Sequence, residues 1–209
     1  MINFLITKLT TNFTYFMREE AHYRFLVQRA LPEWIAKIKD RDLRTWSAGC
    51  SSGEEAYTAA ITIMEYLGSA RSKWDTTVLA TDISTRVLAA AQAGVYSADH
   101  LEGLPLNLRD KYFVMQDEQH YRVGSELAKQ VVFATLNLMD PFRFKRRFHI
   151  IFCRNVMIYF DKETKRRLAA KFYEFLEPGG YLFIGLSETL SGLCDQFINI
   201  APSIYTKQP

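Results

Sequence analysis

Two glycines, an aspartate and two asparagine-bearing dipeptides are spaced so that together they could hold one ligand. In residues 43–57, LRTWSAGCSSGEEAY, an alternating apolar run breaks into small residues at 48–53. Apolar positions then return at helical spacing through Ala56, Ala59, Ala60, Ile63, Met64 and Leu67. Strand, tight turn and helix in that order open a nucleotide-binding βαβ unit. Gly49 and Gly53 tolerate positive φ and let a ligand approach the backbone, and a larger side chain at either is expected to fill the space an adenosyl group needs. The spacing is G-x-x-x-G without a following lysine, so it is neither the dinucleotide fingerprint nor a phosphate-cradling loop. A glycine pair also fits a plain strand-to-helix turn. The next segment separates the two readings: residues 77–81 read as a second strand ending at Asp82, where a carboxylate is placed to accept hydrogen bonds from ribose hydroxyls.

The elements that position these residues follow from periodicity. Ligands of open α/β sheets bind outside the carboxyl ends of the strands. That rule selects residues 49–53, Asp82, Asn137-Leu138 after a strand at 131–135, and Arg154-Asn155 after a strand at 148–153. Asparagine offers adenine and ribose both donors and acceptors, although it also serves turns for purely local reasons. Helical periodicity runs over 19–38, with Pro32 expected to start a new segment. Ser84 reads as the N-cap of a helix over 85–93 that Gly94 ends. A short helix is expected at 105–111, and 113–115 with 121–123 form a small antiparallel hairpin across 116–119. Residues 124–130 are a connector. A helix over 163–176 is expected to stop at Pro178-Gly179-Gly180, followed by a strand at 181–185 and a hairpin of 197–200 with 204–206. Strands and helices alternate as in a mostly parallel sheet covered on both faces.

Composition bounds the alternatives. The 209 residues, 48% hydrophobic, suffice for one α/β core. A net charge of +3 does not by itself imply nucleic acid, and the basic run at 143–147 reads as a solvated loop. Cys50, Cys153 and Cys194 are odd in number and lack C-x-x-C spacing, which points to a reducing compartment. His22, His100, His120 and His149 show no ligand spacing, so no metal is expected. Without a long apolar run or a signal peptide, the chain is expected in the cytoplasm, as a monomer, with no membrane insertion.

The segments TNFTYFMRE (11–19), WSAGCSSGEEAY (46–57), ATDI (80–83), Asn137-Leu138, IFCRNVMIYFD (151–161) and PGGYLFIGLSE (178–188) resemble the chemotaxis receptor glutamate methyltransferases, the CheR type. The motifs fall in the family's order, and FCRNVMIYFD is its most specific stretch. The resemblance implies a Rossmann-like class I methyltransferase sheet with helices on both faces. Residues 1–40 would complete the cofactor site, and 41–209 would form the methyltransferase domain with a small antiparallel β-subdomain insert at 113–133.

It also implies S-adenosylmethionine as cofactor and S-adenosylhomocysteine as product. Asn12, Thr14 and Arg18 would meet the methionine end, Glu55 the amino group or ribose, and Asp82 the ribose hydroxyls. Asn137-Leu138 would frame the adenine, with Gly49 in the glycine turn and Arg154-Asn155 beneath the methionine moiety. Arg18 and Tyr159 would stand beside the transferred methyl. The implied reaction needs no general base, because a glutamate of reference pKa about 4.3 is already ionised at neutral pH. Arginine suits a carboxylate because its guanidinium bonds in a directional fork. The rival reading is a non-catalytic S-adenosylmethionine-binding sensor or scaffold, and the presence of Arg18 and Tyr159 favours the enzyme.

The implied partners are the cytoplasmic methylation helices of chemoreceptors, with no nucleic acid. Two features depart from the family: only about ten residues precede the TTN motif, where a helical domain is usual, and Leu186 stands where a histidine is common. Family members that tether a receptor tail peptide carry a longer, glycine-bearing loop in the insert. Here that loop is QDEQ (116–119), so no tail-peptide tether is expected.

Overall fold

The computed structural model describes residues 14–208, so Asn12 lies outside the described residues. Its strands are β1 (Thr45–Ala48), β2 (Val78–Asp82), β3 (Val95–Ser97), β4 (Phe113–Met115), β5 (His120–Val123), β6 (Val131–Thr135), β7 (Phe148–Cys153), β8 (Leu176–Ile184), β9 (Phe197–Ala201) and β10 (Ile204–Lys207). β7 is buried at all of its positions, which is why its residues, His149 apart, are apolar on both faces instead of alternating. Ile150 and Phe152 pack into the cluster on one face of the sheet, with Leu26, Leu31, Tyr57 and Ile61 from two helices. Ile151 and Cys153 pack into the cluster on the other face, with Trp46 and with Leu168, Ala169 and Phe172 of the helix Lys162–Phe175. Apolar surface on both faces of a strand demands a helical layer on each side, and the chain supplies both.

The main sheet has the order β6-β2-β1-β7-β8-β10-β9. Pairing is parallel from β6 to β8, and β10 runs antiparallel between β8 and β9. Chain order turns back between β1 and β7, so the crevice of this doubly wound sheet opens there. Register aligns the strand ends: Ala48 lies opposite Thr81, Asp82 opposite Thr135, and Cys153 opposite Ile184. The residues that follow, Gly49, Arg154 and Gly185, therefore stand with Asp82 along one edge.

The hairpin of β4 and β5 forms as expected, and β3 joins it in a three-stranded antiparallel sheet that the sequence reading did not anticipate. Pro32 does not begin a separate helix. The helices Glu20–Phe25 and Leu31–Lys37 are continuous through a π-helical turn at Leu26–Ala30, in which the Leu31 N–H donates to the Leu26 carbonyl. The widened turn makes room for a proline that cannot donate and whose ring crowds the preceding turn. Gly94 ends the helix Thr85–Ala93 at φ +60°, but the Ser84 side chain makes no cap bond. Pro178-Gly179-Gly180 lies inside β8, where the register against β7 shifts, while the preceding helix already ends at Phe175. Arg146 of the basic run pairs with Asp40 and Asp42, which partly neutralises it. Among the described residues no helix is long and apolar enough to cross a membrane.

Two buried histidines are expected to make the fold acid-sensitive. Burial, reinforced by Arg154, lowers His22 to about 4, and burial with Arg44 lowers His149 to about 3. The Arg44 backbone N–H donates to His149 Nδ1 at 3.0 Å, so that nitrogen must stay unprotonated. The unfolded chain binds these protons near 6.5 and the folded chain does not, so stability falls as pH drops below 6.5. Each group is expected to contribute a loss on the order of 3 kcal/mol once pH reaches its folded value. Urea melts at about pH 7 and about pH 5 should show a lower midpoint at the acid end, and a smaller drop in the His22→Phe variant. Equal midpoints at the two pH values would refute the account.

Candidate active site

The turn after β1 is built by hydrogen bonds before any ligand is considered. Gly49 and Cys50 both donate to the Thr81 carbonyl, and the Ser51 N–H donates to Asp82 Oδ2 at 3.0 Å. Gly49, Ser51 and Gly53 have positive φ. The demand for glycine comes from the protein's own packing. A Cβ on Gly49 would lie 2.6 Å from Val156 Cγ2, and one on Gly53 would lie 2.9 Å from the Ala91 Cβ and 3.0 Å from the Tyr96 hydroxyl. A larger side chain at either glycine would therefore run into the protein itself, and not, as expected from sequence, fill the space of an adenosyl group. From Gly53 the helix Glu54–Leu67 leads away.

Asp82 ends β2 partly buried. Its Oδ1 accepts the Ser84 N–H at 2.9 Å, which ties the start of the helix Thr85–Ala93 to the end of β2. Each carboxylate oxygen keeps a lone pair for a further donor. Asp82→Ala is expected to weaken S-adenosylmethionine binding by about 1–3 kcal/mol, the scale for removing an acceptor from a charged hydrogen bond. Unchanged affinity by calorimetry would overturn the ribose assignment.

Arg154, at the exit of β7, has 2% side-chain exposure and is surrounded by acceptors. Its Nε donates to Glu19 Oε2 at 3.2 Å, and its Nη1 donates to the Tyr23 hydroxyl at 3.0 Å and Glu55 Oε2 at 3.3 Å. Its Nη2 meets Glu19 Oε2 at 3.2 Å and donates to the Arg18 carbonyl. Four hydrogen bonds and an ion pair thus hold the fork within the protein. Glu55 also accepts from Ser47 Oγ at 2.7 Å. Burial raises the Glu55 carboxyl against the pull of Arg154, and the charge of Arg18 also lowers it. Burial works against Glu19 too, but Arg154 and the Leu186 N–H more than offset it and hold that carboxyl below its usual range. Glu19, Arg154, Glu55 and Arg18 thus form a chain of alternating charge.

The remaining expected residues divide. Thr14 lies on the irregular lead-in to the turn that carries Arg18, and both are part-buried. Tyr159 closes the short 3₁₀ turn Met157–Tyr159 beyond β7 and is 50% exposed. Asn155 holds φ +57°. Asn137 uses its side chain locally, accepting the Met139 N–H at 3.0 Å and donating to Asp140 at 3.3 Å, so the turn reading describes its present contacts. Leu138 is buried against Phe142 and neighbouring aromatics.

Three carboxylates in this region were not singled out from sequence. Glu19 bonds the Arg154 guanidinium, Asn155 Nδ2 and the Leu186 N–H. Glu188 accepts the N–H groups of Gly185, Asn155 and Ile158. Glu54 is fully buried, accepts the single hydrogen of the Ser52 hydroxyl, whose Oγ lies 2.8 and 3.0 Å from its two oxygens, and meets His100 Nδ1 at 2.9 Å. Their positions at an arginine, a strand exit and a helix start were the available signals.

A doubly wound sheet with a glycine turn after its first strand and an acid ending its second is the arrangement of class I S-adenosylmethionine-dependent methyltransferases. An acceptor-only carboxylate at β2, beside a turn held open by its own backbone, suits a ribose, so these residues fit that cofactor. The chain belongs to the CheR methyltransferase family: the model for the CheR methyltransferase SAM-binding domain matches residues 12–206. It is 46% identical over 192 residues to the chemotaxis protein methyltransferase of Borreliella burgdorferi, covering 90% of this chain and 68% of that protein. It is 36% identical over 206 residues to a probable chemotaxis protein methyltransferase of Rhizobium etli, covering 96% and 76%. The Escherichia coli chemotaxis protein methyltransferase is 39% identical over 204 residues, covering 96% and 68%. Among solved structures, an S-adenosylmethionine-dependent methyltransferase from Mesorhizobium loti is similar at TM-score 0.40 and 17% identity, covering 76% of this chain and 54% of that one.

Proposed function

We propose that this methyltransferase esterifies glutamate side chains of chemotaxis receptors in the cytoplasm. The observation that carries the reading is the tied pair of segments bearing Arg18 and Tyr159, within a chain whose relatives are chemotaxis protein methyltransferases. The Arg18 carbonyl is held by Arg154, and the turn bearing Tyr159 follows directly from the same β7 exit. When bound, S-adenosylmethionine supplies an electrophilic methyl group on a sulfonium. Asp82, the turn at Gly49, Thr14 and Asn155 would hold it, with Asn12 and Asn137-Leu138 completing the contacts. Arg154 and Glu55 would support that pocket from beneath. The substrate carboxylate arrives ionised, so the chain's task is to orient it and exclude water. Arg18 does so with a directional fork, and the Tyr159 hydroxyl donates a second hydrogen bond. Labelled methyl transferred to a receptor cytoplasmic fragment, and released by mild base as expected for an ester, tests the reading. Base-stable incorporation would refute it.

The same reading extends to recognition. The turn between β4 and β5 is tight and acidic: Asp117 accepts the N–H groups of Gln119 and His120, each at 2.8 Å. An acidic tail peptide added along this small sheet would meet that charge. The enzyme is therefore expected to engage receptors through its catalytic face without a tail tether. Titration of a receptor tail pentapeptide should give no amide shifts in β5. Micromolar binding there would overturn the expectation.

A further inference from the structure

Arg18 sits between two non-glycine residues in left-handed conformation, Met17 at φ +63° and Glu19 at φ +59°. Such backbone persists only where surrounding contacts impose it. Here the Met17 N–H donates to Thr58 Oγ1 at 3.3 Å, and Arg154 takes the Arg18 carbonyl. Glu19 fixes the far side. Its Oε2 accepts from Arg154, while its Oε1 accepts Asn155 Nδ2 at 3.4 Å and the Leu186 N–H at 3.3 Å. One carboxylate thus joins the amino-terminal segment to the exits of β7 and β8.

Glu188 makes the matching contact from the other direction. Its Oε2 accepts the N–H groups of Gly185 at 2.6 Å and Asn155 at 3.0 Å, and its Oε1 accepts that of Ile158 at 3.1 Å. Ile158 is the residue before Tyr159. The two carboxylates therefore meet at Asn155, one bonding its side chain and the other its backbone.

We propose that Glu19 and Glu188 form a clasp of positioning residues for methyl transfer, Glu19 setting Arg18 and Glu188 setting Tyr159. Neither carboxylate contacts the reacting groups in this assignment. Every oxygen of the two accepts from a protein donor, and each carboxylate acts through the residue it holds. The inference rests on the roles proposed above for Arg18 and Tyr159.

The test uses Glu19→Gln and Glu188→Gln, which keep size but replace one acceptor oxygen by a donor, alone and combined with Arg18→Ala and Tyr159→Phe respectively. Turnover of a receptor fragment is measured where every variant still binds S-adenosylhomocysteine. Each single glutamine variant should lose about tenfold or more in kcat, with the S-adenosylhomocysteine Kd moving less than about threefold. Each double variant should fall within about twofold of Arg18→Ala or Tyr159→Phe alone, because a group already removed cannot be mispositioned. Glu19→Asp and Glu188→Asp, which keep the charge, should recover part of the rate. Losses that multiply in the doubles, or kcat and ligand affinity falling together in the singles, would overturn the clasp while leaving the proposed function standing. Wild-type turnover in Arg18→Ala and Tyr159→Phe would overturn both.

Discussion

Arg18→Ala is expected to lose roughly a hundredfold or more in turnover while S-adenosylhomocysteine affinity changes only a few-fold. The asymmetry follows from what the chain leaves for arginine to do. On the proposed reaction a glutamate carboxylate needs no deprotonation, so the barrier would be set by its alignment and by removal of water from around it. Alanine at 18 removes the directional fork, while the backbone that shapes the turn remains tied through the Arg18 carbonyl and Glu19. Arg18→Lys keeps the charge without the bidentate geometry and should fall between the two. Steady-state kinetics against calorimetry separates the cases. Equal losses in kcat and ligand affinity would make Arg18 a cofactor contact and nothing more.

Much of the site was legible because motif and periodicity speak about backbone. Gly49 and Gly53 marked the turn, and Asp82 marked the end of β2, since strand ends and tight turns leave local signatures. β7 was legible as a run that is apolar apart from His149. What stayed hidden depends on partners far away in sequence. β3 has three residues and exists only through pairing with β5. The π turn before Pro32 answers a steric conflict that composition does not reveal. The carboxylates of Glu19, Glu54 and Glu188 look like ordinary surface acids in one dimension. Their bonds to Arg154, His100 and three backbone N–H groups are set by tertiary structure.

The same separation explains why Arg154 reads differently in sequence and in space. FCRNVMIYFD marks it as a cofactor-side residue, whereas its guanidinium is spent on Glu19, Glu55, Tyr23 and the Arg18 carbonyl. Its influence on a ligand passes through the segments it joins. Those segments carry Arg18 on one side and Asn155 on the other.

Arg154→Met is therefore expected to be the most destabilising single change at the site, by about 3–5 kcal/mol, the range for removing one partner of a buried ion pair. At about 2–4 °C per kcal/mol for a domain of this size, the melting midpoint should fall on the order of 10 °C near neutral pH. Methionine fills much of the volume, so the loss is electrostatic: Glu19 and Glu55 are left as two part-buried carboxylates without their shared cation. The pH dependence identifies the cause. With Arg154 present, Glu19 is held below its usual range, and its contribution is lost as pH falls through that lowered value. Without Arg154, burial dominates both groups, their folded pKa values rise above the unfolded ones, and the folded variant binds more protons than the unfolded chain. The variant's deficit should accordingly be largest above neutral pH and shrink as pH falls toward about 5. Arg154→Lys, with a point charge that reaches one carboxylate at a time, should recover part of the midpoint and little of the turnover. Melting curves of the three proteins across pH decide the matter: a deficit that is constant or grows toward acid would mean that Arg154 acts by packing and not as the shared counter-ion of Glu19 and Glu55.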